Sequence, residues 1–392
     1  MSATAMAEGP APEPLAGRRS TAVYAVLLGL GVLDAAGYSL IAPVLPELAQ
    51  RTEASVTVMG MLVATFPLGM VAGFALGGAV VRRRAPAAVI LVGLGLVATG
   101  SLGFVLGTDL AVLAPARLLM GLGSGCLWLG ITFTTLASWP GQEYLCMSRV
   151  FAAYSAGGLL GPLLGSIHGV RGPFTAYLVL TLLMAVPVLA LQLPAHGATF
   201  TADHRALRSR GFWAASVGIA FAVMALGTLE GVLPLHFGTK LPQAQIGALY
   251  AATSVLVAVA AALAARLRPR RALLASTVLV IAGLAAAGAS SSVPVWIVAL
   301  TVGGCGIGLA NTGAIGVLLD AVPARRIVTA MVLWSQIGIL GYLLAPLTGG
   351  PIADSYGYTA VAAVVGVGGV AVAITLAWQH RGTQSSAASN AT

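Results

Sequence analysis

The sequence predicts an all-α membrane protein, with twelve transmembrane helices in two pseudo-symmetric six-helix bundles. Three observations carry that prediction. Of the 392 residues 58% are hydrophobic and only 8% charged, with a mean hydropathy of +0.95, whereas a soluble domain carries about a quarter charged residues. The apolar residues fall into runs of about the 20 residues a helical span needs. Short motifs also recur at a near-constant offset: Leu45-Pro46 with Leu233-Pro234 and Arg82-Arg83 with Arg270-Arg271, each 188 apart, and LLGPLLGS from 159 with LLAPLTGG from 343, 184 apart. That offset divides the chain into two halves, and parallel repeats of this kind place a substrate site near the bilayer midplane between them.

In chain order, residues 1–20 are polar and end in Arg18 and Arg19, which reads as a disordered cytoplasmic tail. Spans are expected at 21–45, 56–80, 86–107, 110–135, 148–168 and 173–194, giving an N-terminal bundle over 21–194. A polar linker, 195–211, leads to spans at 212–237, 244–266, 271–290, 294–319, 327–349 and 358–379, the C-terminal bundle over 212–379. A short cytoplasmic tail, 380–392, follows. Gly and Pro interrupt several spans, which membrane helices tolerate better than soluble ones.

Orientation follows from the basic residues, which favour the cytoplasmic side. With the N-terminus inside, sixteen Lys and Arg fall in inner segments, three (Arg51, Arg171 and Lys240) in outer loops, and Arg117 within a span. Both termini are therefore expected in the cytoplasm. The net charge of +9 is accounted for by this topology, so nucleic acid is not an expected partner. The near-exclusive use of Arg over Lys, with abundant Ala and Gly, suggests a GC-rich bacterial genome and hence a bacterial inner (plasma) membrane. The three cysteines, Cys126, Cys146 and Cys305, show no metal spacing, and no metal is expected.

Three charges lie within spans: Asp34, Arg117 and Glu230. Charge at that depth costs several kcal/mol unless paired, hydrated or neutralised, so each is a candidate functional group. Asp34 lies 11 residues from the outer end of its span, and Arg117 and Glu230 each lie 7 from theirs, roughly 16 Å and 10 Å deep at 1.5 Å per residue. An Asp34–Arg117 ion pair is expected if the two helices are neighbours; otherwise Arg117 snorkels outward or ties helices together. The C-terminal half offers Glu230 no intramembrane cation, so Glu230 is expected to carry the coupling proton, the alternative being a water-filled outer mouth. Tyr38 follows Asp34 by four residues, Ser124 and Trp128 share the face of Arg117, and Asn311, Ser335, Gln336 and Tyr342 add polar groups at membrane depth in the other half. All are candidate substrate contacts, with helix–helix hydrogen bonding as the competing role. Gly121, Gly123 and Gly125, and Gly303, Gly304, Gly306 and Gly308, would allow close backbone approach. The absence of G-x-x-x-x-G-K-[ST] argues against an ATP-driven pump, and no HExxH or intramembrane Ser/His pair suggests an enzyme.

These residues resemble the major facilitator superfamily over essentially the whole chain, and within it the twelve-span drug:proton antiporters. Gly37-YSLIA-Pro43-Val44-Leu45-Pro46 fits that group's first-span motif. Arg117-LLM-Gly121-L-Gly123 resembles its fourth-span motif, in which the arginine is implicated in proton coupling. Gly157-GLL-Gly161-Pro162-LL-Gly165-Ser166 resembles the fifth-span antiporter motif, with Ser166 where a second glycine is usual. Leu229-Glu230-GV-Leu233-Pro234 is similar to the seventh span of vesicular-amine-type carriers. The loop after span two departs from the pattern: Arg82, Arg83 and Arg84 are present, but Val81 stands where an aspartate that helps latch the halves is usual. The resemblance implies a monomeric, proton-coupled exporter of small lipophilic or amphipathic compounds working by alternating access in the lipid bilayer, with protons as coupling ion and no other cofactor. A metabolite importer or facilitator on the same fold, and a non-transporting sensor or partner protein, are the alternatives.

Overall fold

The computed structural model describes residues 17–81, 85–139, 142–191, 193, 209–264, 266–323 and 326–389. The Arg82–Arg84 run, residues 1–16, most of the linker and residues 390–392 lie outside the described residues.

The first span is two helices, α1 (Gly17–Ser39) and α2 (Ile41–Thr52). Pro43 has no N–H to give and its ring crowds the carbonyl four residues back, which loosens the helix at Leu40. Then come α3 (Val56–Val81), α4 (Pro86–Leu106), α5 (Leu110–Ser138), α6 (Glu143–Gly165) and α7 (Arg171–Ala190). The second half repeats the plan. Its first span breaks at Val232 into α8 (Arg210–Gly231) and α9 (Leu233–Phe237), with Pro234 in the first turn of α9. α10 (Gln243–Ala264), α11 (Pro269–Ala289) and α12 (Val293–Ala321) follow. α13 (Ile327–Ser389) is two helical segments that meet at Gly357, whose φ of 80° and ψ of 172° is a conformation open to glycine.

Ten stretches among the described residues are long and apolar enough to cross a bilayer. One of them, Leu333–Leu376, is two spans joined at Gly357. α6, 23 residues long but polar in its first turns, completes the twelve. The expected boundaries differ most at the chain's proline and glycine breaks. The first span runs on to Thr52, and the last helix continues to Ser389, through residues expected to begin a tail.

Alternate turns define two faces. The start of α1, the end of α13 and the ends of α5 and α10 lie at one, here the termini face; the α2–α3, α6–α7, α9–α10 and Gly357 turns lie at the other, the distal face. Glycine stripes set the packing inside each half. Side chains at Gly121 and Gly125 would meet the carbonyls of Phe66 and Met70 on α3, so α5 lies backbone to backbone against it. Gly157, Gly161 and Gly165 do the same for α6 against Val32, Ala36 and Leu40, on either side of the break in the first span. Gly308 meets the Val257 carbonyl on α10, and Gly283 meets Gly303 across α11 and α12. The outward surface is apolar, as lipid requires: Leu182, Leu183, Val186 and Leu189 on α7 are all more than half exposed.

The halves meet chiefly through α3 with α13 and α6 with α10. Hydrogen bonds across this seam lie toward the distal face. The Asp354 carboxylate accepts from the backbone N–H groups of Val56 (3.1 Å) and Thr57 (2.8 Å) at the start of α3. Burial raises the Asp354 carboxyl, but the hydrogen bonds it takes from the side chain and backbone of Thr57, the side chain of Ser55 and the backbone of Val56 together outweigh it and hold the group below its ordinary value. Gln243 Nε2 donates to the carbonyls of Gly165, Ile167 and Gly169, at 2.7, 2.8 and 3.1 Å, and its Oε1 accepts from the Gly169 N–H at 3.1 Å. Ser254 Oγ donates to the Gly158 carbonyl at 2.8 Å.

Candidate functional site

Beneath this seal, between the halves, lies a cavity of about 410 Å³, within the size range of small-molecule sites. It runs from mid-depth, at Tyr38, Phe66 and Tyr342, toward the termini face, at Phe151 on α6, Ile315 on α12 and Trp334 on α13. The walls are apolar and aromatic. Trp128 sits edge-on to Phe151 (5.0 Å) and Tyr154 (5.5 Å), and Tyr38 packs on Phe66 (5.6 Å) and on Tyr342 (4.3 Å) across the seam. A second hollow of about 310 Å³, near Arg210, Arg270 and Asp320, lies within the C-terminal half at the termini face, away from the buried charges.

Of the sequence candidates, Tyr38, Trp128, Asn311, Ser335 and Tyr342 line the cavity. Ser335 and Tyr342 are two turns apart on one stripe of α13, and Gln336 falls one residue off it and does not line the wall. Asp34, Arg117, Ser124 and Glu230 lie behind the wall, 1%, 0%, 2% and 6% exposed.

The expected Asp34–Arg117 ion pair is absent. Arg117 points instead to the break in the first span, where Nη1 donates to the Gly37 carbonyl and Nη2 to the Tyr38 carbonyl, each at 2.9 Å. Its guanidinium also stacks 4.4 Å from the Phe66 ring centroid. The physical reason lies in the loosened backbone around Leu40: buried carbonyls there need donors, and a planar guanidinium offers two in parallel. The C-terminal half meets the same need with a neutral group, since the Tyr250 hydroxyl donates to the Leu229 carbonyl just before the second break. Asp34 is left with neither carboxylate oxygen hydrogen-bonded. Ser124 faces it, but short of hydrogen-bonding geometry. Glu230 accepts one hydrogen bond, from the Tyr342 hydroxyl to Oε2 at 3.2 Å.

Residues the sequence reading passed over include Phe66, Phe151, Tyr154 and Trp334 in the wall, and Gln243 and Asp354 in the seal. Phe151 and Tyr154 were within reach, being aromatics at helical spacing on one face of α6. Gln243 and Asp354 carry no local signal, because their partners are backbone atoms of the other half.

The sequence profile of the Major Facilitator Superfamily matches residues 27–267 and 215–391. Multidrug resistance protein 2 of Bacillus subtilis is 28% identical over 172 residues, which span 42% of this chain and 42% of that protein. In three dimensions the chain is similar to a bacterial homologue of the human lysosomal transporter Spinster in an inward-facing, unoccupied conformation, with a TM-score of 0.73 at 14% identity over 93% of this chain and 96% of that one. It is also similar to a POT family transporter in complex with a thioalcohol-conjugated peptide, with a TM-score of 0.73 at 12% identity over 92% and 96% of the two chains. The human organic anion transporter MFSD10 gives 0.65 at 14% identity over 91% and 99%. With a profile match over nearly all of its length and the fold to go with it, the chain belongs to the major facilitator superfamily, and is a multi-pass membrane transporter and not an enzyme.

Proposed function

We propose that this transporter exports small lipophilic or amphipathic compounds from a bacterial cell in exchange for protons, by alternating access, with its termini face in the cytoplasm. It works as a monomer in the inner membrane and needs no cofactor beyond the coupling ion. The observation that carries this reading is the state of the two buried acids. Asp34 has no hydrogen bond to either oxygen, and Glu230 has one, from a tyrosine. Each sits beside a cavity that is sealed by hydrogen bonds at the distal face and extends toward the other. Neither acid makes an ion pair among the described residues; a carboxylate so buried in a low-dielectric interior costs several kcal/mol, and taking up a proton removes that cost. Protonation then favours one arrangement of the halves over the other, and only such a differential interaction can drive a population shift. Since Arg117 is committed to backbone carbonyls, Asp34 joins Glu230 as a proton carrier in this reading. The partial likeness to a multidrug resistance protein favours outward movement of drug-like compounds.

Proteoliposomes with a pH-sensitive dye inside test this. Addition of a transported compound should move protons in the opposite direction, and Glu230→Gln and Asp34→Asn should each reduce that flux. Substrate movement that proceeds unchanged after the pH gradient is collapsed, in wild type and variants alike, would mark a facilitator instead.

A further inference from the structure

The acids and the cavity occupy separate layers. Among the described residues no carboxylate lines the cavity wall. Asp34 is fully enclosed, and Glu230 sits behind Tyr342, whose hydroxyl it engages. Arg117 is likewise enclosed and turned toward backbone. A compound in the cavity therefore meets aromatic faces and a few polar atoms, and no formal charge.

Most of those polar atoms are already occupied. Ser155 donates to the Phe151 carbonyl, Thr312 to that of Ala261, and Trp334 Nε1 to that of Ala215. Three wall groups have no hydrogen bond among the described residues: the Trp128 indole N–H and the Tyr154 hydroxyl in the N-terminal half, and the Asn311 amide in the C-terminal half. A cation entering here would lose its hydration without meeting a carboxylate, and an anion would find no free cation. The attraction of a cation to aromatic faces is smaller than that dehydration penalty. An uncharged ring system stacks on the same faces without the penalty. An acceptor on it reaches the donors of Trp128 and Tyr154, while Asn311 can serve either a donor or an acceptor.

We propose that the transported compound is uncharged and aromatic, clasped between the halves by Trp128 and Tyr154 on one side and Asn311 on the other, with neither acid in contact with it. This deepens, and rests on, the export reading above. It assigns Asn311 as the residue that sets selectivity against charge, and it separates the cargo site from the proton site.

A matched pair of probes tests it: acridone, which is uncharged, and N-methylacridinium, a permanent cation on the same ring system. Binding to the purified full-length protein is followed by fluorescence titration, with thermal melting as a check that each variant is folded. Acridone should bind, and N-methylacridinium should bind about tenfold more weakly or worse, the equivalent of losing one well-placed polar interaction. Asn311→Leu should weaken acridone by about tenfold on the same scale. Asn311→Asp, which puts a carboxylate in the wall at nearly the same volume, should raise N-methylacridinium affinity above that for acridone. The proposal is overturned if acridone does not bind up to its solubility limit, or if N-methylacridinium binds at least as well to the wild type. Cation binding that Asp34→Asn or Glu230→Gln weakens, or Asn311 variants that leave both affinities unchanged, overturns it too. Because binding needs neither a pH gradient nor a direction, a protein that keeps this preference yet moves no protons would sink the antiport reading and leave this one standing.

Discussion

Asp354 and Thr57 lie 297 residues apart, yet the Asp354 carboxylate accepts the Thr57 backbone N–H at 2.8 Å and that of Val56 at 3.1 Å. A residue of the C-terminal half thus caps the first turn of a helix in the N-terminal half. An anion at a helix N-terminus meets free N–H groups and the positive end of the dipole, and side-chain capping is worth about 1 kcal/mol. Replacing Asp354 by Ala should loosen the distal face. Spin labels at Glu53 and Lys240, in a background without native cysteines, would then show a new population at longer distance. The pH response follows from the sign of the shift. A carboxyl held below its ordinary value of 3.8 contributes fully above that value and is lost only as pH falls through its still lower value in the closed state. The label distance should therefore not respond to Asp354 between roughly pH 5 and 8, and any distal opening in that window must come from other groups.

Gln243 makes the matching clasp at the start of α10, and its chemistry gives a prediction with a definite order. Its amide donates to three carbonyls, of Gly165, Ile167 and Gly169. Gln243→Ala removes the bonds, whereas Gln243→Glu turns a carboxylate toward those same oxygens. The Glu variant should open the distal face more than Ala does, although glutamate is the closer match in shape. Equal label distances in the two variants would argue that the amide's donors contribute nothing to closure.

Arg117 should behave as a backbone clasp. Arg117→Leu leaves the buried Gly37 and Tyr38 carbonyls without their donors, at about 1–3 kcal/mol for each unsatisfied group. Lysine cannot reproduce two parallel donors and should recover only part of the loss. Because Arg117 makes no ion pair with Asp34, the melting effects of Arg117→Leu and Asp34→Asn should add to within about 0.5 kcal/mol. A coupling well above that in a double-mutant cycle would restore the ion pair.

Gly357 offers a test of backbone conformation alone. Its φ of 80° is one that side-chain-bearing residues rarely adopt, and nothing lies within 4 Å of where a Cβ would stand. Gly357→Ala should therefore destabilise the closing turn of α13 by roughly 1–3 kcal/mol with no steric clash to relieve. Gly161→Ala differs in kind. There the added methyl would meet Ser39 and the Ala36 carbonyl, so α6 must move off the broken first span and transport should fall along with stability.

The spans, the repeat and the glycine stripes were readable in the sequence because each is written in local spacing: apolar length, a constant offset, small residues on one helical face. Arg117 was misjudged for the opposite reason. Opposite charges at similar depth suggested a pair with Asp34, but the acceptors that won are the backbone carbonyls of Gly37 and Tyr38 beside the break in the first span, which have no letter in the sequence. The amides divided for a geometric reason: Asn311 reaches the wall while Gln336, one step off the Ser335–Tyr342 stripe, does not. Gln243 and Asp354 were invisible because their partners are main-chain atoms far away in the chain.

Tyr38 is held at both of its ends. Its carbonyl is in the grip of Arg117 at the break in the first span, while its ring forms part of the cavity wall and rests against Tyr342, the residue that holds Glu230. A guest that pushes the ring aside therefore pulls on a pivot and brushes the holder of an acid in the same movement. Occupancy would be transmitted as leverage on one residue, so a guest without charge can still be felt by a machine that runs on protons.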